Sequence, residues 1–108
     1  METDNWVKIV EIESLIEDSC NIFETALGTI LLVKDAESRK VRALSGICSH
    51  EEYVLETGFV QENTVICPLH LSAFDLDTGN AQNPPAEDPL ETFEVKIEKN
   101  FVFIKRKV

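Results

Sequence analysis

The sequence has no long apolar run, no sign of a secretory signal in its first residues and, across residues 43–95, no lysine or arginine. No apolar run approaches the roughly 20 residues that a membrane-spanning helix requires, and residues 1–5 lack the basic and apolar segments of a secretory signal. We therefore expect a soluble, cytoplasmic protein that does not bind a membrane. With 108 residues and 44% hydrophobic content, the chain can form one domain, residues 1–108, with little room for a second.

Basic residues are missing from the middle of the chain. Residues 43–95 contain no Lys or Arg but ten acids, whereas the remainder has ten acids and ten bases, so the whole net charge of −10 belongs to this segment. Nucleic acid is excluded as a favoured partner because its binding needs a basic footprint. The acids could simply solvate the surface, or they could steer a basic partner protein toward this segment.

Cysteine and histidine are scarce, and nearly all of them fall into one paired pattern. Cys48 and His50 have one residue between them, 16 residues follow, and Cys67 and His70 then have two between them. These four residues include both histidines of the chain and two of its three cysteines. Soft thiolate and imidazole ligands repeated in this way predict a metal centre held between two loops.

The unequal pairs, Cys-x-His and then Cys-x-x-His, resemble the signature of Rieske [2Fe-2S] proteins. The match continues after the second pair, through Ser72, Phe74, Asp75, Thr78 and Gly79. The resemblance implies one [2Fe-2S] cluster, with Cys48 and Cys67 on an inner iron and His50 and His70 on an outer iron. It also implies a reduction potential within the roughly −150 to +300 mV of such centres.

Other uses of the same four residues fit less well. A Cys2His2 zinc site usually spaces its first pair by roughly two to four residues, so that one turn aims both side chains at one ion. A catalytic Cys/His pair would need a third orienting group and an oxyanion site, and no sequence feature indicates either. A zinc-stabilised interaction module remains the alternative from another class.

Residues around the ligands are expected to tune the cluster. Ser72 matches the serine that donates a hydrogen bond to a bridging sulfide in the family, and Phe74 stands where high-potential members have tyrosine. Because phenylalanine cannot donate, we expect a potential at the low end of the family's range. Leu71 departs from the usual glycine after the second histidine, and it would be strained if that position needs a positive φ. Pro84 and Pro85 resemble by position a loop that covers the cluster, although a plain rigid connector fits equally well.

Short β-rich segments separated by turn residues predict an all-β fold. The predicted strands are residues 6–10, 20–24, 29–34, 41–44, 59–61, 64–66, 74–76, 93–97 and 101–104, with a helical turn around Leu15 and Ile16 in an acidic connector. The pattern gives short antiparallel strands. The resemblance adds the Rieske-type arrangement, a base barrel with a small inserted cluster-binding subdomain at approximately residues 46–76.

The resemblance narrows to the soluble ferredoxin branch. Respiratory-chain Rieske proteins carry an extra cysteine in each cluster loop. In this chain, Leu69 stands at the position of the second extra cysteine, and residues 51–53 contain no cysteine that could be the first. With two cysteines assigned to metal, Cys20 has no disulfide partner, which argues against an oxidising compartment. We expect Cys20 to be a half-buried strand residue, with a redox role as the minor alternative.

The function implied is one-electron transfer and not catalysis. The expected partners are a flavin-dependent reductase and a terminal oxygenase of the aromatic-ring hydroxylating dioxygenase type, both bound transiently by a monomeric carrier. The alternative is a small electron-transfer subunit of a nitrite-reductase-like complex.

Overall fold

Antiparallel strands make up most of the chain. The computed structural model describes residues 6–47, 54–55, 58–68, 72–82 and 88–107. A 3-10 turn spans Ile12–Ser14, and Leu55 is also in 3-10 conformation. The strands are β1 (Val7–Glu11), β2 (Asn21–Thr25), β3 (Gly28–Lys34), β4 (Val41–Ser45), β5 (Phe59–Gln61), β6 (Thr64–Cys67), β7 (Ser72–Asp75), β8 (Thr92–Glu98) and β9 (Phe101–Arg106). The all-β prediction is confirmed.

Six strands form a nearly closed sheet in the order β1-β9-β8-β4-β3-β2. Alternate side chains of each strand point to the interior of this barrel, as the two-residue period of a strand requires. Burying one large apolar side chain in this interior contributes roughly 1.5–3 kcal/mol to the free energy of unfolding. The barrel core consists of Leu15, Ile30, Leu32, Val41, Ala43, Phe93, Val102 and Ile104.

The helical turn lies earlier in the chain than predicted. The turn ends at Ser14, and Leu15 is extended, with φ −79° and ψ 137°. Leu15 is 4% exposed within the barrel core, whereas Ile16 is 68% exposed. Packing of the Leu15 side chain into the barrel therefore overrides the local helical pattern that surrounds it.

The remaining three strands form a second sheet, in the order β5-β6-β7. This sheet is inserted between β4 and β8, and its buried side chains share a second core with the outward side of β3 and β4. Because β3 contributes Ile30 and Leu32 to the barrel core and Leu31 and Val33 to the second core, both of its faces are buried. That double burial explains why β3 is a continuous apolar run without polar alternation.

The second core contains Leu31, Val33, Leu44, Leu55, Val65, Cys67, Phe74, Leu76 and Leu90. The strands β5 to β7 lie inside residues 46–76, and the bounds of the cluster-binding subdomain stay a prediction. The described ranges contain no helix with the length and apolarity that crossing a bilayer needs.

Candidate metal centre

The predicted site residues divide between the described and the undescribed parts of the chain. Cys67, Ser72 and Phe74 are described, whereas the predicted ligands Cys48, His50 and His70 lie outside the described residues. Leu71, Pro84 and Pro85 also lie outside them. In the described ranges no group of three or more Cys, His, Asp or Glu side chains could hold a metal ion. The structure therefore defines the frame from which the two predicted ligand loops emerge.

The first ligand loop leaves and rejoins the fold at one point. Ile47 and Val54 form an antiparallel bridge, so the described residues on the two sides of residues 48–53 are neighbours. The amide of Leu55 donates to the carbonyl of Gly46 over 2.8 Å, and the Leu55 side chain is fully buried. Cys48 therefore follows directly after a fixed bridge at the end of β4.

The second ligand loop is the tip of a hairpin. Cys67 ends β6 and pairs with Ser72, the first residue of β7, which leaves residues 68–71 as the connection. Cys67 is 1% exposed and belongs to the second core. Pro68 fixes φ directly after this cysteine and removes one backbone donor, which restricts the loop. His70 is predicted within this short connection, close to Cys67 along the chain.

Gly58 allows the backbone after the first ligand loop to approach the backbone before the second ligand loop. Its amide donates to the Leu55 carbonyl over 3.0 Å, on the side of the first loop. A Cβ atom at Gly58 would lie 2.7 Å from the carbonyl oxygen of Ile66, the residue before Cys67. Glycine is therefore required here for a close backbone approach.

The Ser72 hydroxyl is a buried donor that finds no acceptor among the described residues. Ser72 is 1% exposed, and its Oγ has no hydrogen-bond partner in the part of the chain that the structure describes. Leaving such a group unsatisfied costs about 1–3 kcal/mol, so buried hydroxyls in native proteins nearly always have a partner. Directly opposed residues in a sheet have Cβ atoms roughly 4.5–5.5 Å apart, so the Ser72 side chain lies on the same face as the Cys67 side chain and directly across from it. A sulfur-rich group held by Cys67 fits this position.

Phe74 lies on the same face of β7 as Ser72. The strand period places residues 72 and 74 on one side, and Phe74 is fully buried opposite Val65. Cys67 is its diagonal neighbour across the strand pair, at roughly 7–8 Å between backbones, which a long aromatic side chain can span. Phe74 therefore places an apolar ring at this position, whereas a tyrosine would place a hydroxyl hydrogen-bond donor there.

The segment that carries Pro84 and Pro85 starts beside the same strand. Phe74 and Ala81 form an antiparallel bridge, and the Gln82 amide donates to the Ala73 carbonyl over 2.7 Å. The predicted covering loop therefore follows a described segment that pairs with β7, and the loop itself lies outside the described residues.

The sequence predicts Asp77 as one of the acids and as a turn residue, but it does not reveal that Asp77 joins the two sheets. Asp77 Oδ2 accepts a hydrogen bond from Asn63 Nδ2 at 2.9 Å, and its Oδ1 accepts from Arg42 Nη1 at 3.0 Å. The Asn63 hydrogen bond, with Arg42 and Lys40, lowers the pKa of Asp77 below its ordinary 3.8. Arg42 and Asp77 are 35 positions apart in the sequence, so no local sequence signal could have revealed their contact.

Among the described residues, two carboxylates of the acidic segment are paired with bases from outside it. Asp77 pairs with Arg42, and Glu91 Oε2 lies 3.2 Å from Arg106 Nε. Both are surface pairs of the kind that contributes about 1 kcal/mol or less. The acidity of this segment is therefore smaller in the fold than its composition suggests.

Cys20 is half-buried, as predicted, although it lies just before β2. Burial raises the pKa of its thiol to about 11. It is a free thiol that packs against the second core. A raised pKa keeps the sulfur protonated and poorly reactive, which argues against the minor redox alternative.

The protein consists of a nearly closed sheet and a smaller sheet inserted into it. It is therefore an all-β domain with a subdomain. The sequence matches the Rieske [2Fe-2S] domain family over residues 5–94, so the chain belongs to this family. Its cofactor is one [2Fe-2S] cluster, as predicted, and the zinc-stabilised module is set aside. Thiolates favour the ferric state and neutral imidazoles raise the potential above that of an all-cysteine cluster.

Two curated relatives of different length match the chain. The chain is 41% identical over 63 residues to the 3-phenylpropionate/cinnamic acid dioxygenase ferredoxin subunit of Escherichia coli K12, covering 57% of this chain and 59% of that protein. It is 37% identical over 82 residues to human apoptosis-inducing factor 3, covering 76% of this chain and 13% of that protein. The chain thus spans less than two thirds of the length of either relative.

Solved structures share the fold over nearly the full chain. The ferredoxin of carbazole 1,9a-dioxygenase from Nocardioides aromaticivorans IC177 has a TM-score of 0.87 at 24% identity, with 96% of this chain and 100% of that chain covered. The ferredoxin-sized chain in a complex of reduced oxygenase and oxidized ferredoxin of carbazole 1,9a-dioxygenase has 0.85 at 20%, covering 98% and 99%. A putative NADH-dependent nitrite reductase small subunit from Mycobacterium tuberculosis has 0.84 at 17%, covering 99% of both chains. Because the sequence identities lie between 17% and 24%, these structural similarities establish the fold alone.

Proposed function

We propose that this protein is a one-electron carrier that passes electrons from a flavin-dependent reductase to a terminal oxygenase of an aromatic-ring hydroxylating system. The observation that carries the proposal is membership of the Rieske [2Fe-2S] family together with 41% identity to a dioxygenase ferredoxin subunit. A [2Fe-2S] cluster supplies reversible one-electron chemistry. The protein by itself turns over no organic substrate, because its role is to accept and donate electrons.

The proposed ligands are Cys48 and Cys67 on the inner iron and His50 and His70 on the outer iron. Burial of Cys67 supports an inner position for its thiolate, since a buried sulfur ligand shields half of the cluster from water. The Ile47↔Val54 bridge and the Cys67↔Ser72 pair support two short loops that leave the fold at fixed points. Ser72 and Phe74 would lie next to the ligands, and Pro84 and Pro85 would cover them.

The proposed partner contacts are transient and steered by charge. Glu62 and Asp88 are exposed acids of the segment that carries the predicted ligands, in addition to Asp77 and Glu91, which pair with Arg42 and Arg106. A negatively charged surface speeds encounters with a basic partner, and salt screens this effect over a Debye length of about 10 Å at 0.1 M. A complex of oxygenase and ferredoxin among the structural neighbours supports the oxygenase as the acceptor. The monomeric state and the cytoplasm belong to the same proposal, and the free thiol of Cys20 supports a reducing compartment.

Electron transfer from a basic reductase tests the function and its steering together. We expect the purified, cluster-loaded protein to be reduced by NAD(P)H and a flavin reductase, and to be reoxidised by an oxygenase with its substrate. Stopped-flow absorbance should show that the second-order rate falls as NaCl is raised from low to physiological concentrations. A rate independent of salt would remove the steering, and a cluster that no flavin reductase can reduce would remove the carrier role.

A subunit or domain of a larger reductase is the second candidate. Two similarities favour this second candidate. The fold is similar to that of a putative nitrite reductase small subunit, and the chain matches 13% of the length of human apoptosis-inducing factor 3. The two candidates differ in assembly, because a dedicated subunit should elute with its large partner on gel filtration. A shuttling ferredoxin should elute alone at its own mass of 12.2 kDa.

A further inference from the structure

The outer face of the smaller sheet carries a row of apolar side chains. Phe59 on β5 lies opposite Ile66 on β6, and Ile66 lies opposite Ala73 on β7. Val65 and Cys67 flank Ile66 in the chain and belong to the second core. Because successive side chains of a strand point to opposite faces, the three paired residues point away from that core. We call them the apolar row.

The apolar row is exposed to solvent. Phe59 is 45% exposed, and Ile66 and Ala73 are partly exposed. None of the three is among the side chains that form or pack against the two cores of the described residues. Residues directly opposed in a sheet are neighbours, so the row is a continuous patch and not a set of scattered residues. Continuous apolar patches on a protein surface mark interaction sites.

The row lies at the end of the sheet from which the predicted ligand loop emerges. Ile66 directly precedes Cys67, and Ala73 directly follows Ser72, so the row is one residue away from the Cys67–Ser72 pair. The outer face of an antiparallel sheet is usually polar, and the next row on this face is so. That polar row consists of Gln61, Thr64 and Asp75. The face therefore becomes apolar only toward the predicted ligands.

The charges near the apolar row are negative. Residues 43–95 contain no Lys or Arg, so no base of this segment lies beside the row. The described residues of the sheet include two acids, Glu62 in the exposed turn between β5 and β6 and Asp75 in the polar row. A complementary surface therefore has an apolar centre and a basic rim.

We propose that the apolar row is the docking surface for a redox partner protein whose contact surface is apolar and surrounded by Lys or Arg. This proposal rests on the electron-carrier function, because a redox partner must approach the end of the sheet that carries the ligands. Phe59 anchors the complex, since aromatic side chains at the centre of an interface contribute much of its binding energy. A second copy of this chain is the wrong occupant, because two chains with a net charge of −10 repel each other.

Electron transfer to cytochrome c, a small basic haem protein, tests this surface. The reduced, cluster-loaded protein gives one electron to the ferric haem, so the reaction needs no further reactant. In anaerobic stopped-flow measurements, Phe59→Thr should lower the second-order rate constant about fivefold or more, because the anchoring ring is lost. Threonine retains the preference for a strand. The reduction potential should stay at the wild-type value, because Phe59 points away from the face that carries Cys67.

Three further variants separate the row from general effects of surface mutation. Ile97→Thr is the matched control, because Ile97 is also 45% exposed in a strand but lies in β8 of the six-stranded sheet. Its rate constant should equal that of the wild type. Phe59→Leu keeps an apolar side chain and should retain most of the rate. Ile66→Thr changes the middle of the row and should lower the rate as well, which keeps the test informative if Phe59→Thr fails to fold.

Salt separates apolar docking from charge steering. Raising NaCl should lower every rate constant but preserve the ratio between the wild type and Phe59→Thr, because salt screens charges and not apolar contacts. A ratio that falls to one at high salt would contradict the apolar contact. Equal rate constants for the wild type and Phe59→Thr at all salt concentrations would overturn the docking surface and leave the carrier function standing. A reduced wild-type protein that cannot reduce cytochrome c would instead overturn the carrier function.

Discussion

Replacing Ser72 by alanine should lower the reduction potential of the cluster. Ser72 lies directly across from Cys67, and its hydroxyl is buried and has no acceptor among the described residues. If it donates to a sulfur of the cluster, the hydrogen bond is stronger in the reduced state, because that state carries one more negative charge. Loss of the hydroxyl then disfavours reduction, and the visible spectrum of the oxidised protein should persist.

The magnitude follows from the strength of a hydrogen bond to a charged group. Such a bond contributes about 1.5–3 kcal/mol. If about 1–2 kcal/mol of this is gained on reduction, the potential should fall by about 40–90 mV, since 59 mV corresponds to a tenfold change, or about 1.4 kcal/mol, for one electron. A spectroelectrochemical titration of the loaded protein measures this shift directly.

An exposed serine provides the control, and stability distinguishes the competing explanation. Ser14→Ala makes the same chemical change in the 3-10 turn, where no residue is buried, and its potential should equal that of the wild type. If Ser72 instead carries an unsatisfied hydroxyl, alanine would remove a desolvation cost of about 1–3 kcal/mol and raise the unfolding free energy. A Ser72→Ala protein with an unchanged potential and higher stability would refute the assigned hydrogen bond.

Three further predictions follow from the described residues. Phe74→Tyr should raise the potential in a redox titration, because a hydroxyl at this buried position can donate toward a ligand sulfur; no rise would count against the assigned loop geometry. Gly58→Ala should cost about 1–3 kcal/mol, since its Cβ would lie 2.7 Å from the Ile66 carbonyl oxygen. At about 4–8 °C per kcal/mol for domains near this size, calorimetry should show a clearly lower Tm, and an unchanged Tm would contradict the close approach. Asp77→Asn should destabilise the protein at neutral pH. The folded-state pKa of Asp77 is depressed, chiefly by the Asn63 hydrogen bond, so the stabilisation by its carboxylate is present above the unfolded-state pKa. It is lost as the pH falls through the folded-state pKa, and urea unfolding should therefore show the two proteins converging in acid; a constant difference would exclude this linkage.

The strand segments were predictable because they are local. Each strand lies within two residues of its predicted bounds, since β-branched and apolar residues, hairpin turns and the two-residue period are all readable along the chain. The strand β7 shows the limit. It begins at Ser72 and not at residue 74, because pairing with Cys67 extends it toward the loop.

The candidate site was predictable as a set of residues but not as a geometry. The spacing of Cys48, His50, Cys67 and His70 points to the family, and the family match supports the [2Fe-2S] cofactor. The ligand roles, the covering loop at Pro84 and Pro85, and the subdomain bounds stay predictions. The effect of Leu71 also lies outside the described residues.

The sequence by itself determined the class of chemistry, because cysteine and histidine spacing is a local property that only a few metal centres can use. It also determined where strands form. Only the tertiary structure decided which strand faces are buried twice, that Leu15 fills the barrel, and that Ser72 lies beside Cys67 with its hydroxyl buried. The same holds for the contact between Arg42 and Asp77 and for the apolar row across β5, β6 and β7. These features depend on strand order and on contacts between distant residues, which no window of sequence contains.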